Sequence, residues 1–289
     1  MAINFLGHRF AAMLKHRENP TTRNAKVSTI IKALDILDLF SPAQPALGLS
    51  EAARILGRDK ASVLRHFSAL EKKGMVEQDT VTKHYHLGPA LSRLAMVREQ
   101  TAPANHSIVN VVRQLAKSSG ETTHLSRYSN GRLVQGKVID APSRSGIRVQ
   151  VNPAEELPLH ATASGIAFLS VCTRGTREQV LAKPLNNYTA STPTTREIVL
   201  EHVEVARQQG FAIALGTYES GAIGIAAAVF NATGDACGAI SVASPESRMD
   251  TARQQQIVTL VLEAARQISW HQGAPHDVIS LLDSRMTAE

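Results

Sequence analysis

At 289 residues, 43% of them hydrophobic, the chain is long enough for one large domain or two ordinary ones with a real core. No run approaches a membrane span, the opening residues lack the order of a secretory signal, and Cys172 and Cys237 have no CxxC spacing, so a disulfide framework and a structural zinc site are both disfavoured. The formal net charge is +6, and all of the excess lies early: residues 1–100 hold 15 Lys and Arg against 9 Asp and Glu, whereas residues 101–289 hold 16 of each. A soluble, cytoplasmic protein is expected, whose first third meets a polyanion.

Residues 1–24 end in the polar stretch RENPTTRN and are expected to form an arm. Ile30, Ile31, Leu34 and Leu37 have the spacing of an amphipathic helix, which SPAQPALG ends. Ser50 is a candidate cap for a helix over Glu51–Leu56 stopped by Gly57. Asp59 is a candidate cap for the next, in which Val63, Phe67 and Leu70 form a buried stripe closed by Gly74. The following residues alternate on either side of Asp79–Thr82 and predict a small β-hairpin. Two short helices about a Gly-containing turn, with a helix before and a hairpin after, make a winged helix-turn-helix over residues 25–88.

With Val63, Phe67 and Leu70 inward, 100° per residue places Arg58, Ala61, Ser62, Arg65 and Lys72 outward, with Lys60 near the helix start. That face is short-chained where a groove is narrow and cationic where phosphates or guanines would lie. Arg65 suits bidentate pairing with guanine, and Lys60 and Ser62 suit phosphates. Ser50, Arg58, His66 and the hairpin residues Lys83 and His84 complete the candidate DNA-contacting set. A solvated charged face is the plain alternative.

LGPALSRLAMVREQ predicts a linker helix over Pro89–Gln100, within residues 89–102, amphipathic through Leu91, Leu94 and Val97; that stripe suits a dimer face or packing within the chain. From 103 to 272 helices and strands mix. Ile108–Ser118 reads as a helix, Asn130–Gly131 as the turn of a hairpin, and Arg148–Val151 as a strand. ATASGIAFLSVC reads as a buried helix, and TTREIVLEHVEVARQQG as an amphipathic one capped by Thr194 or Thr195 and ended by Gly210. Strands Ile223–Phe230 and Cys237–Ser244 flank NATGDA; a helix follows over 251–272, and residues 273–289 are expected to be a loose tail. Hairpin-joined strands flanked by helices give an α+β class with a mainly antiparallel sheet.

The motifs KASVLRHFSALEKKGMV with YHLG, LPLHATASGIAFLS, and GFAIALGTYESGAIGIAAAVFNATGDACGAISVASPESR resemble those of the IclR family of bacterial transcriptional regulators, a resemblance that spans about residues 27–270. It implies a winged helix for double-stranded operator DNA, a GAF-like domain that binds a small organic acid effector, and a homodimer or homotetramer. It also implies effector positions at Ala163, Ser164, Gly165, Ala214, Gly224, Ser241 and Ala243, the first three through backbone N–H groups at a helix start, which favours a carboxylate. Ala214, Gly224 and Ala243 depart from the family's polar pattern, and Ile166 replaces a common Lys. These departures predict a roomier, more apolar pocket that suits an aromatic or medium-sized acid. His124 and Arg148 join the candidate set if they point inward; Arg148 is equally well read as a surface or structural residue.

A hydrolase built on His124, His160, Ser164 and Glu219 is the catalytic alternative, but neither GxSxG nor HExxH occurs. His84 and His86 have no evident metal-ligating partners, and phosphate-cradling glycine motifs are absent, so no catalytic residue, metal or cofactor is expected. A metabolite-binding sensor without DNA affinity is the other alternative.

Overall fold

A computed structural model describes residues 25–41, 44–101, 104–140 and 156–286. The expected arm at 1–24 and the strand expected at Arg148–Val151, with Arg148 itself, lie outside the described residues. The chain divides between residues 103 and 104 into two compact units.

The first unit comprises α1 (Ala25–Leu37), α2 (Leu49–Leu56), α3 (Lys60–Lys72), β1 (Val76–Gln78), β2 (Tyr85–Leu87) and α4 (Pro89–Thr101). Its core is Ile36, Leu39, Leu47, Ala52, Val63, Phe67, Leu70, Val76 and Tyr85. The stripe at 63, 67 and 70 is buried as the spacing predicts. Asp59 caps α3 by accepting from the Ser62 N–H at 2.7 Å. Gly57, after α2, is left-handed at φ 62°. Ser50 does not cap: α2 begins at Leu49, its cap position is Gly48, and Ser50 is an exposed helical residue. β1 and β2 pair antiparallel, and Leu47 adds a bridge to Tyr85. The Tyr85 ring stacks on Phe67, centroids 3.9 Å apart and planes at 10°, which fastens the hairpin to α3.

The second unit is built on a six-stranded sheet in the order β5-β4-β3-β8-β7-β6, with every adjacent pair antiparallel. Its strands are β3 (Thr122–Ser129), β4 (Arg132–Ile139), β5 (Glu156–Leu157), β6 (Ala212–Leu215), β7 (Ala222–Phe230) and β8 (Ala236–Pro245). Its helices are α5 (Ala104–Ser119), α6 (Ala163–Val171), α7 (Arg174–Leu181), α8 (Arg196–Gln209), α9 (Thr251–His271) and α10 (His276–Met286). Asn130 and Gly131 both have positive φ, 52° and 76°, the primed turn that Asn-Gly predicts.

Alternation along β7 and β8 divides the core. Ile225, Ala227, Val229, Ile240 and Val242 meet α5 and α9, while Ala226 and Ala239 face α6 and α8. The second face is made of small residues, so α6 comes very close: a Cβ on Gly224 would stand 3.2 Å from that of Ala163. Within α6's own approach, a Cβ on Gly165 would fall 2.3 Å from the Leu159 carbonyl oxygen. The loose tail expected from Gly273 is instead a helix over His276–Met286, whose Ile279 and Leu282 are buried with Ala228, Phe230 and Ala274. Its apolar residues at i and i+3 have a partner face on β7, which segment composition alone does not reveal.

Candidate functional site

On α3 the buried set is Val63, His66, Phe67 and Leu70. Directly opposite lie Ala61, Arg65, Ser68 and Lys72, with Leu64 to one side, all exposed. Leu64 and Ser68 were missed by the sequence reading, although continuing the 100° steps from Ala61 finds them; Leu64 adds an apolar group of the kind that meets a thymine methyl. Lys60 is exposed at the helix start, and Ser62 is half-buried with its N–H on Asp59.

Two of the expected contacts are engaged within the fold. His66 is buried, because it stands within the stripe of Val63, Phe67 and Leu70. Burial, then the nearby charges of Arg58, Arg65 and Lys32, hold its imidazole below the ordinary value against the opposing pull of Asp59. Arg58 is turned back onto α1: its Nη2 lies 2.5 Å from Asp35 Oδ2, and its Nη1 donates to the Lys32 carbonyl at 2.9 Å. Lys32 and Arg65 nevertheless concentrate positive charge around this helix.

The hairpin tip is held by Asp79, whose Oδ1 accepts from the Val81 and Thr82 N–H groups at 2.9 and 2.6 Å; these bonds hold its carboxyl below the usual range. Lys83 takes φ 60° with its N–H on the Asp79 carbonyl, and its side chain is exposed. His84 is exposed as well, with Nδ1 3.1 Å from the Thr82 carbonyl oxygen.

In the second unit a cavity of about 90 Å³ lies between the sheet and the start of α6. Ala214, Gly224, Ala243 and Thr122 are register partners in one row across β6, β7, β8 and β3. Ser241 and His124 pair in the adjacent row. The cavity is lined by His124, Ala163, Ser164, Ala214, Gly224, Ser241 and Ala243 from the expected set. Gly165 is the exception. Its N–H is taken by the capping Oγ1 of Thr162 at 3.1 Å, leaving those of Ala163 and Ser164 as the first-turn donors without an intrahelical acceptor.

The lining is mostly apolar, through residues such as Leu157, Ala214, Ile223 and Ala243, with Gln135, Thr162, Thr217 and Glu219 as further polar members. Its rim is tied down. The Thr189 hydroxyl donates to the Gly216 carbonyl at 2.6 Å, that of Thr192 to Thr217 at 2.6 Å, and that of Thr217 to Ala161 at 2.7 Å. Tyr188 meets Tyr218 edge-on at 5.0 Å.

His124 Nε2 lies 3.2 Å from Ser164 Oγ, while Nδ1 has no hydrogen-bond partner among the described residues. Burial lowers the imidazole to about 4, so it is uncharged near neutral pH. Of the four residues of the hydrolase alternative, His124, Ser164 and Glu219 line the cavity, whereas His160 Nε2 lies 2.9 Å from the Asn186 carbonyl oxygen and no described carboxylate is hydrogen-bonded to His124. The pair of His124 and Ser164 has a poor general base and no hydrogen-bonded third member among the described residues.

A winged helix-turn-helix followed by a ligand-sized cavity at a helix start defines a two-part DNA-binding regulator. Residues 29–80 match the IclR helix-turn-helix domain, and residues 100–270 match the bacterial transcriptional regulator IclR C-terminal domain. The chain belongs to the IclR family of bacterial transcriptional regulators. It is 29% identical over 245 residues to the HTH-type transcriptional regulator BhcR of Paracoccus denitrificans, covering 84% of this chain and 87% of that one. It is 27% identical to the HTH-type regulator KdgR of Escherichia coli, over 86% and 93% of the two chains. Among solved structures, an IclR transcriptional regulator from Silicibacter sp. TM1040 is similar at TM-score 0.70 and 32% identity, over 85% of this chain and 96% of that one. No helix among the described residues is long and apolar enough to cross a membrane.

Proposed function

We propose that this regulator places α3 in the major groove of a pseudo-palindromic operator and that a small organic acid in the cavity of the second unit alters that binding. The observation that carries the reading is the cavity's position, at the start of α6 where the Ala163 and Ser164 N–H groups have no intrahelical acceptor. A helix start offers a carboxylate both hydrogen bonds and a favourable dipole. By volume the cavity takes a ligand of roughly six to nine non-hydrogen atoms, which includes compact aliphatic acids and benzoate-sized aromatic ones.

A homodimer or homotetramer accords with this reading, since one winged helix reads too few base pairs to stand out from non-specific DNA. The exposed Ile30, Ile31 and Leu34 on α1 and Leu94, Met96 and Val97 on α4 offer apolar surface for it. Arg65 reads a base edge, while Lys60 and Lys83 contact phosphates.

The test is operator footprinting with the full-length protein, with and without a panel of small acids that raise its melting temperature. An acid that raises the melting temperature and shifts the operator affinity supports the proposal. Protection of no DNA, with ligand binding intact, would establish a sensor without DNA affinity instead.

A further inference from the structure

We infer that Gln135 determines the cavity's specificity and, with His124, makes it select acids that also carry a hydroxyl group. This rests on the ligand-binding reading of the same cavity. It begins with the pairing of β3 and β4. His124 pairs with Val138 and Leu125 with Lys137, but Ser126 pairs with Gln135, so Gly136 is the extra residue of a β-bulge. Counting out from the Asn130–Gly131 turn, Arg132 pairs with Ser129, Leu133 with Tyr128, Val134 with Arg127 and Gln135 with Ser126, so the turn sets the face of Gln135 and the bulge lies beyond it. Ser126 is two residues from His124 on β3, so Gln135 shares the face of His124, toward the cavity. A glycine serves at the bulge, where a Cβ would stand 3.1 Å from the Leu125 carbonyl oxygen.

The turn thus delivers a long amide side chain into the lining, where its chemistry is unfinished. Gln135 Oε1 is buried and has no hydrogen-bond partner among the described residues. The Nδ1 atom of His124, a residue only 6% exposed, is in the same condition. Native proteins rarely leave buried polar atoms unpaired, and both of these line one cavity. An amide oxygen only accepts, so what completes it is a donor. A carboxylate cannot fill that role, and the first-turn N–H groups of Ala163 and Ser164 already suit it. The matching ligand therefore has two ends: a carboxylate at the start of α6 and a hydroxyl that donates to Gln135. An ammonium group would also donate to that oxygen, with Glu219 in the lining as its counter-charge, so the amine is the rival that the experiment has to reject.

The experiment is titration calorimetry on the full-length protein with matched acids that differ by one group: lactate and glycerate against propionate, 3-hydroxybutyrate against butyrate, 4-hydroxybenzoate against benzoate, and alanine as the amine counterpart. At least one hydroxy acid should bind about tenfold or more tightly than its deoxy partner, since a site built to pair a hydroxyl rejects the analogue that lacks it. Gln135→Met, of similar length without the amide, should bring that ratio close to one, with the melting temperature of the free protein unchanged or raised because an unpaired buried oxygen is gone. Equal binding within every pair, survival of the ratio in Gln135→Met, or a preference for the amine overturns the hydroxyl assignment while leaving the cavity a ligand site. Failure of every acid to bind overturns the ligand-binding reading itself, and this inference with it.

Discussion

Arg58 Nη2 stands 2.5 Å from Asp35 Oδ2, joining the residue before the cap of α3 to α1 across 23 positions of sequence. With the Lys32 carbonyl as a second acceptor, the guanidinium acts as a brace between two helices of the winged unit. Both side chains keep some solvent contact, so the pair is worth less than a buried one. Arg58→Ala and Asp35→Ala should each destabilise the fold by about 1–2 kcal/mol, with a coupling energy in a double-mutant cycle read from urea unfolding. Unchanged stability combined with lost operator affinity would return Arg58 to the DNA-contacting set.

Arg65, four residues along α3 from Ala61, has no such brace among the described residues and is exposed at the middle of the outward face. Arg65→Ala should cost about 1–3 kcal/mol at the cognate operator and relax base preference at one position. Lys60→Ala and Lys83→Ala should instead weaken all sequences alike and reduce the salt slope by about one each. Footprinting over a salt series separates the two behaviours, and an Arg65→Ala protein with unchanged affinity and preference would remove α3 from the groove.

What was legible in the sequence was what neighbouring residues decide. The stripe at Val63, Phe67 and Leu70, the Asp59 cap and the Asn130–Gly131 turn all follow from local spacing and backbone preference. Convergence of Ala214, Gly224, Ser241 and Ala243 on one cavity was implied only by the family resemblance, because it depends on the pairing register of three strands and on the helix packed over them, which spacing within one strand does not reveal. Arg58 and Gln135 escaped for a related reason. The acceptor of Arg58 lies on another helix, and the cavity that Gln135 joins is lined by β6, β7, β8 and α6, distant from it in sequence. The hint of the latter is the Asn130–Gly131 turn, which pairs Gln135 with Ser126 on the face of His124. The burial of His66 follows from the same 100° steps, which place it beside Val63 and Leu70.

The buried imidazole of His124 carries a stability signature. Its folded value of about 4 lies below the ordinary 6.5, so near neutral pH both folded and unfolded forms are uncharged and nothing is lost. As pH falls below about 6.5 the unfolded chain takes up the proton first, and stability declines until about pH 4, below which the folded form binds it too. At pH 4.5 the loss from this one group amounts to about 2–3 kcal/mol. His124→Gln should remove that share of the pH dependence between 7.5 and 4.5, measured by urea unfolding. An identical pH profile in the variant would mean that the imidazole is not desolvated.

Gly165 and Gly224 flank the start of α6 and should respond to substitution in opposite ways. A Cβ at Gly165 would fall 2.3 Å from the Leu159 carbonyl oxygen and 2.4 Å from its Cα, both backbone atoms that cannot rotate aside. Gly165→Ala should therefore displace the helix start and cost about 3 kcal/mol, toward the upper end of overpacking penalties, with acid binding lost along with stability. At Gly224 the nearest atom is the Ala163 methyl at 3.2 Å, a contact that a few tenths of an ångström relieve. Gly224→Ala should cost about 1 kcal/mol or less. Gly224→Leu carries its bulk into the cavity beside Ala214 and Ala243, where ligand atoms would otherwise sit. It should abolish acid binding in calorimetry while operator affinity in footprinting is kept, since the winged unit is a separate compact body with its own core. Retained acid affinity in Gly224→Leu would move the ligand away from this row of the sheet.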